Sequence, residues 1–128
     1  MTTIASIGPM TMKVADTVAI PANRLITMAS TGLATLGTTT SDIYGVSEHV
    51  VPAATADRLS TGDAVTVVPL SRSGMVRLTA SAAIAVGAPL EKAASGKVAT
   101  VSAGEAIGYA AIEAAAADGD IILAWPIV

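Results

Sequence analysis

Apolar and polar residues alternate along this chain in short runs, the pattern of half-buried β-strands. In Ala64-Val65-Thr66-Val67-Val68, opened by Gly62-Asp63, Val65 and Val67 share one face, and Pro69 marks the end of the run or a sheet edge. In Met75-Val76-Arg77-Leu78-Thr79, Val76 and Leu78 face one way and the other three residues face the opposite way. Further short strands are predicted at Thr17-Val18-Ala19-Ile20, at Leu25-Ile26-Thr27-Met28 and at Ile43-Tyr44-Gly45-Val46. Leu90-Glu91-Lys92 and Lys97-Val98-Ala99-Thr100-Val101 flank Ala93-Ala94-Ser95-Gly96, which reads as a hairpin. Ser30-Thr31-Gly32 and Arg72-Ser73-Gly74 are turns, and the stretch 52–61 is a surface excursion.

The strand pattern occurs twice. Gly62-Asp63-Ala64-Val65-Thr66-Val67-Val68-Pro69-Leu70 aligns with Gly119-Asp120-Ile121-Ile122-Leu123-Ala124-Trp125-Pro126-Ile127, an offset of 57. Upstream, Ile43-Tyr44-Gly45-Val46 matches Ile107-Gly108-Tyr109-Ala110, and Ser30-Thr31-Gly32 matches Ala94-Ser95-Gly96 at an offset of 64. An offset that drifts only where a loop can shorten implies two copies of one unit. The expected fold is all-β: a compact β-sandwich or small β-barrel-like domain built from pseudo-repeats over about 18–70 and 83–128.

One segment conflicts with this reading. Residues 105–117 have the Ala and Glu content of a helix. Gly108 weakens a helix there, and the matching Ile43-Tyr44-Gly45-Val46 is strand-like, so strand is assigned to about Ile112 and loop beyond.

Residues 1–17 fall outside the repeat and are expected to form an extended N-terminal arm. Ile4, Ile7, Pro9, Met10 and Met12 alternate irregularly with Thr, Ser and Gly, too broken for a helix, and Pro9 argues for an extended path. Such a segment is either a frayed terminus or an apolar arm that orders on a partner.

Composition bears on how the domain is stabilised. Apolar residues reach 52% of the 128, yet Phe is absent and Trp125, Tyr44 and Tyr109 are the only aromatics. A core of small aliphatic side chains buries less area per residue, at roughly 25 cal/mol per Å² removed from water. Modest stability as a monomer is therefore expected, with burial completed against copies of the chain or a larger partner.

Charge and cysteine content narrow the function classes. Seven basic residues, scattered from Lys13 and Arg24 to Lys92 and Lys97, stand against ten acidic ones. Without a basic cluster, nucleic-acid binding is not expected. No Cys is present, so disulfides and thiolate chemistry are absent. The start Met1-Thr2-Thr3-Ile4 does not read as a secretory signal, and no run of about 18 apolar residues suggests a membrane span. A soluble product made in a cytoplasm is expected.

Candidate chemistry is sparse. His49, the lone histidine, sits in Ser47-Glu48-His49-Val50 without the Gly-x-Ser-x-Gly elbow of a serine hydrolase, and reads as structural or solvated. Asp118-Gly119-Asp120 pairs two carboxylates beside a glycine but lacks the further oxygen ligands of a calcium loop, and its counterpart Thr61-Gly62-Asp63 has lost one acid. Asp before Gly is ordinary turn chemistry. Glu48 and Glu113 fall at similar places in the two repeats without forming a recognisable acid–base pair. No phosphate loop or dinucleotide fingerprint is present. An enzyme is not expected, nor a metal or other cofactor.

The stretch Ile84-Ala85-Val86-Gly87-Ala88-Pro89-Leu90, then Ser95-Gly96-Lys97-Val98-Ala99-Thr100, Ile107-Gly108-Tyr109-Ala110 and Ala115-Ala116-Ala117-Asp118-Gly119-Asp120-Ile121-Ile122-Leu123, is similar to the small bacteriophage capsid cement, or head decoration, proteins. The resemblance covers about residues 18–128 and rests on turn and strand signals; the longer 52–61 excursion and the apolar arm depart from it. It implies a structural virion protein on the outer surface of an expanded head, bound to the major capsid protein. It also implies a homotrimer that clamps neighbouring capsomers.

On that reading Ile4, Ile7, Pro9, Met10 and Met12 form a capsid-binding arm. Trp125, Pro126 and Pro69 lie at an oligomer contact or fill the core, with core filling slightly preferred for Trp125. The rival readings are a trimeric β module of a phage tail or fibre, and a small-ligand-binding β domain whose halves meet around a pocket.

Overall fold

The computed structural model describes residues 10–14, 19–48, 64–70 and 74–127. Among them are ten strands: β1 (Met10–Lys13), β2 (Leu25–Met28), β3 (Ala34–Leu36), β4 (Gly45–Ser47), β5 (Ala64–Val68), β6 (Val76–Thr79), β7 (Pro89–Lys92), β8 (Val98–Thr100), β9 (Ala106–Ala111) and β10 (Ile121–Pro126). A 3-10 turn at Ala94–Gly96 is the one helical element among the described residues. Two five-stranded antiparallel sheets result, in the orders β1-β5-β4-β2-β3 and β6-β10-β9-β7-β8. The protein is all-β, a sandwich of two sheets, and the described residues form no closed barrel.

Adding five to each strand number turns the first order into the second. The repeat extends to the level of register. Val46 pairs with Val68 and Ser47 with Val67 in the first sheet, as Ala110 pairs with Trp125 and Ala111 with Ala124 in the second. Met10 opposite Val67 corresponds to Val76 opposite Ala124. A lone parallel bridge from Val14 to Ala34 ties the two edges of the first sheet, and Ala80 to Val98 does the same in the second. Each sheet therefore curls about its own core.

Equivalent residues lie 66 apart in β1 and β6, 64 apart through β2–β4 and β7–β9, and 57 apart in β5 and β10. The steps fall in connections that are shorter in the second copy. The repeat units thus begin earlier than the sequence spacing indicated. Residues 10–14, expected as part of the arm, form the edge strand β1 and its bridge, and Val14 is buried in the first core. β6, which falls between the two expected repeat ranges, is the counterpart of β1. Residues 1–9 and 15–17 of the expected arm, Val18 at the expected start of the first repeat, and the 52–61 excursion lie outside the described residues.

Period-two burial explains the cores. In β10, Ile122, Ala124 and Pro126 point in while Ile121 and Trp125 point out. Val65 and Val67 are both fully buried, as their spacing required. The first core gathers Val14, Ile20, Ile26, Ala34, Val65 and Val67, with Met12 and Leu36 packed against it. Its counterpart in the second repeat contains Ala80, Ile84, Leu90, Val98, Ile122 and Ala124. The helix-like composition of 105–117 is overridden: Ala106–Ala111 is strand, because Tyr109 and Ala111 bury against the second core.

The second core holds two residues from the other sheet, Leu25 and Val46. They lie on the outer face of the first sheet, so β2 is buried on both sides: Leu25 toward the second repeat and Ile26 toward its own core, both at 0% exposure. This packing makes two curled sheets one sandwich.

Backbone bonds fasten the same seam. Thr79 donates its N–H (3.0 Å) and its hydroxyl (3.0 Å) to the Asn23 carbonyl, and the Gly96 N–H donates to the Gly37 carbonyl at 2.8 Å. The Arg24 guanidinium donates to the Ser95 carbonyl at 2.9 Å, and the Lys92 ammonium to that of Ser41 at 2.7 Å. Thr79 was expected to face outward. It is buried because its outward side is the side that meets the first repeat.

Candidate interaction surface

Among the described residues the exposed large apolar side chains are Met28 and Tyr44 on the first repeat and Met75, Val86, Ile112, Ile121, Trp125 and Ile127 on the second repeat or the approach to it. Their placement follows from the pleat. Trp125 stands opposite Ala110 on β9, Ala110 opposite Pro89 on β7, and Met75 adjoins Val76 at the start of β6. Trp125, Ala110 and Pro89 thus form a row across the outer face of the second sheet, flanked by Ile127 and Ile112. Trp125 is 52% exposed. Core filling, the preferred expectation for this residue, is overturned: its strand position sends it outward, while its neighbours Ala124 and Pro126 go inward.

The remaining expected contact residues separate. Pro126 is buried and pairs with Tyr109; Pro69 is half-buried beyond the end of β5. Met12 is half-buried against the first core and Met10 pairs with Val67. Ile4, Ile7 and Pro9 lie outside the described residues, as does His49.

Four carboxylates have structural partners. Asp120 accepts the N–H groups of Ala116 (2.8 Å) and Ala117 (3.2 Å), closing the turn before β10. Asp118 pairs with the Lys97 ammonium at 2.6 Å. Glu113 accepts the Leu123 N–H at 2.8 Å, and Glu91 holds the loop after β8 through the N–H groups of Gly104 (2.7 Å) and Ser102 (3.2 Å). Among the described residues no group of three or more His, Cys, Asp and Glu side chains is placed to hold a metal ion.

A cleft of about 200 Å³ runs along the seam between the sheets, lined by Asn23, Val46, Ser47, Glu48, Val68, Met75, Val76 and Arg77. Two of its polar groups are committed to the fold. The Asn23 carbonyl takes Thr79, and Ser47 Oγ donates to the Pro21 carbonyl (2.6 Å) and accepts the Arg24 N–H (3.1 Å).

Together these features define a duplicated two-sheet β domain that carries a row of apolar residues, centred on Trp125, on the outer face of its second sheet. No family model matches the chain, and comparison with curated proteins gives no match. Among solved structures the fold is similar to the N base of the head fibre gp8.5 of bacteriophage phi29, with a TM-score of 0.65 and 16% sequence identity. The likeness spans 92% of this chain and 93% of that one. At this identity it shows a shared fold.

Proposed function

We propose that this protein is a structural, non-catalytic component of a bacteriophage virion that binds the outer surface of the expanded head and stabilises contacts between capsomers. Its partners on this reading are the major capsid protein and further copies of itself, as a homotrimer. The observation that carries the proposal is the end-to-end fold likeness to the base of a phage head fibre. The independent resemblance of 18–128 to capsid cement proteins supports it. So do the large apolar side chains exposed on and beside the second sheet, Ile121 and Trp125 of β10 among them.

A second reading, a module of a head or tail fibre, draws on the same likeness, since the neighbour is itself part of a fibre. Electron microscopy of decorated heads separates the two, as compact knobs or as projecting fibres.

The direct test is co-sedimentation of the purified protein with expanded, empty heads. Pelleting with the heads is expected; protein that stays in the supernatant refutes the proposal. The expected capsid-binding arm is tested by removing residues 1–9, which should weaken attachment and leave the fold intact. Deletion through residue 17 is a poor test, because it also removes β1 and Val14 from the first sheet and core.

A further inference from the structure

The chain displays one face twice and covers it once. In the first repeat the outer row Val68, Val46 and Leu25 lies toward the second repeat, with Val46 5% and Leu25 0% exposed. In the second repeat the same register positions are Trp125, Ala110 and Pro89, with Trp125 52% exposed and Pro89 exposed. Around the row the correspondence continues: partly buried Leu70 matches Ile127, which is 42% exposed.

The structure also shows what covers such a face. Against the first repeat, the second places the end of β6, where Thr79 reaches the Asn23 carbonyl, and the turn between β7 and β8. There Gly96 reaches Gly37 and the Ser95 carbonyl takes Arg24. The counterparts of both elements on the first repeat lie at its edge. Lys13 of edge strand β1 holds the place of Thr79, and the exposed turn Ser30-Thr31-Gly32 holds that of Ala94-Ser95-Gly96.

The groups they would meet are also repeated. Asn23 has a positive φ of 61° and donates its N–H to Ser47; Gly87 has a φ of 87° and donates its own to Ala111, the counterpart of Ser47. Next to Gly87, Val86 is 67% exposed at the tip of that turn.

We infer that the outer face of the second repeat, centred on Trp125, is the docking site for the first repeat of another copy of this chain, seated as the second repeat sits on the first within the chain. The inference rests on the self-association in the proposed function and names its interface. The contact is heterologous, β1 and the 30–32 turn of one copy against the 86–89 and Trp125 surface of the next. Copies joined this way form a ring where the rotation between them closes, or an open filament where it does not, rather than a two-fold dimer.

The test uses the full chain, whose single Trp is the reporter and whose lack of Cys permits directed cross-linking. Light scattering over a concentration series should show an oligomer, with Trp125 emission moving to shorter wavelength as it forms. Trp125→Ala should weaken association roughly 30-fold or more, as loss of a central interface aromatic does, with an unchanged far-ultraviolet circular dichroism spectrum. The double variant Thr31→Cys with Ala88→Cys, at the counterparts of Ser95 and Arg24, should oxidise to a ladder of linked chains, while each single variant gives no ladder.

An oligomer that survives Trp125→Ala, or a double variant without a ladder, overturns the inference and leaves self-association standing. A wild-type monomer at every concentration overturns both. Head binding is read separately by co-sedimentation.

Discussion

Leu25 and Pro89 occupy the same place in the two repeats, each opening the second strand of its sheet, yet Leu25 is wholly buried and Pro89 exposed. The difference comes from what lies against each position, since the local backbone register is shared.

Truncation at the two sites should therefore give unequal results. Leu25→Ala is expected to cost about 2–5 kcal/mol, the range for deleting a buried Leu side chain. Pro89→Ala in dilute protein should cost no more than about 1 kcal/mol, the unfolded-chain entropy that the proline ring removes. Urea unfolding followed by circular dichroism compares them. Equal losses would mean that the seam does not bury Leu25 as described.

Gly96 tests the same seam through the backbone. Its φ is +70°, and a Cβ there would stand 2.6 Å from the Leu25 carbonyl oxygen and 3.0 Å from Arg24 Cβ. Gly96→Ala combines a left-handed conformation with overpacking, and should destabilise by roughly 1–3 kcal/mol. Gly74→Ala, where a Cβ meets nothing within 4 Å, is the control and should leave the denaturation midpoint almost unmoved.

Ser47 tests the polar part of the seam. Its side chain is 1% exposed and joins Pro21 to Arg24. Ser47→Ala leaves the part-buried Pro21 carbonyl and Arg24 N–H without this partner, at a cost of about 1–3 kcal/mol. Ser47→Gly should do no better, since the hydroxyl rather than the Cβ makes the link. A thermal midpoint unchanged in both variants would contradict this role.

Of the fold, the strands with clean alternation were legible: Val65 and Val67, Val76 and Leu78, and the hairpin around Ala93-Ala94-Ser95-Gly96 each carry their own periodicity or turn chemistry. β3 was not, because Ala34-Thr35-Leu36 is too short to show a period and is defined by pairing with Ile26 to Met28. β1 was missed as a repeat element for a related reason. Met10-Thr11-Met12-Lys13 and Val76-Arg77-Leu78-Thr79 share no residue, and their equivalence lies in how they pair with β5 and β10.

Of the candidate surface, Trp125 was singled out from the sequence, while its direction was not. Alternation places Trp125 opposite to Ala124 without saying which of the two faces is core.

The sequence by itself determined that the chain is β-rich, that its second half repeats its first, and where the tight turns fall. Each of these depends on neighbours within a few residues or on direct similarity. Tertiary structure alone decided that the outer face of one sheet is buried and that of the other exposed. Two copies of a motif packed front to back have different surroundings at every equivalent position. Burial is a property of what lies across the gap, so repeated local sequence cannot encode which copy is covered.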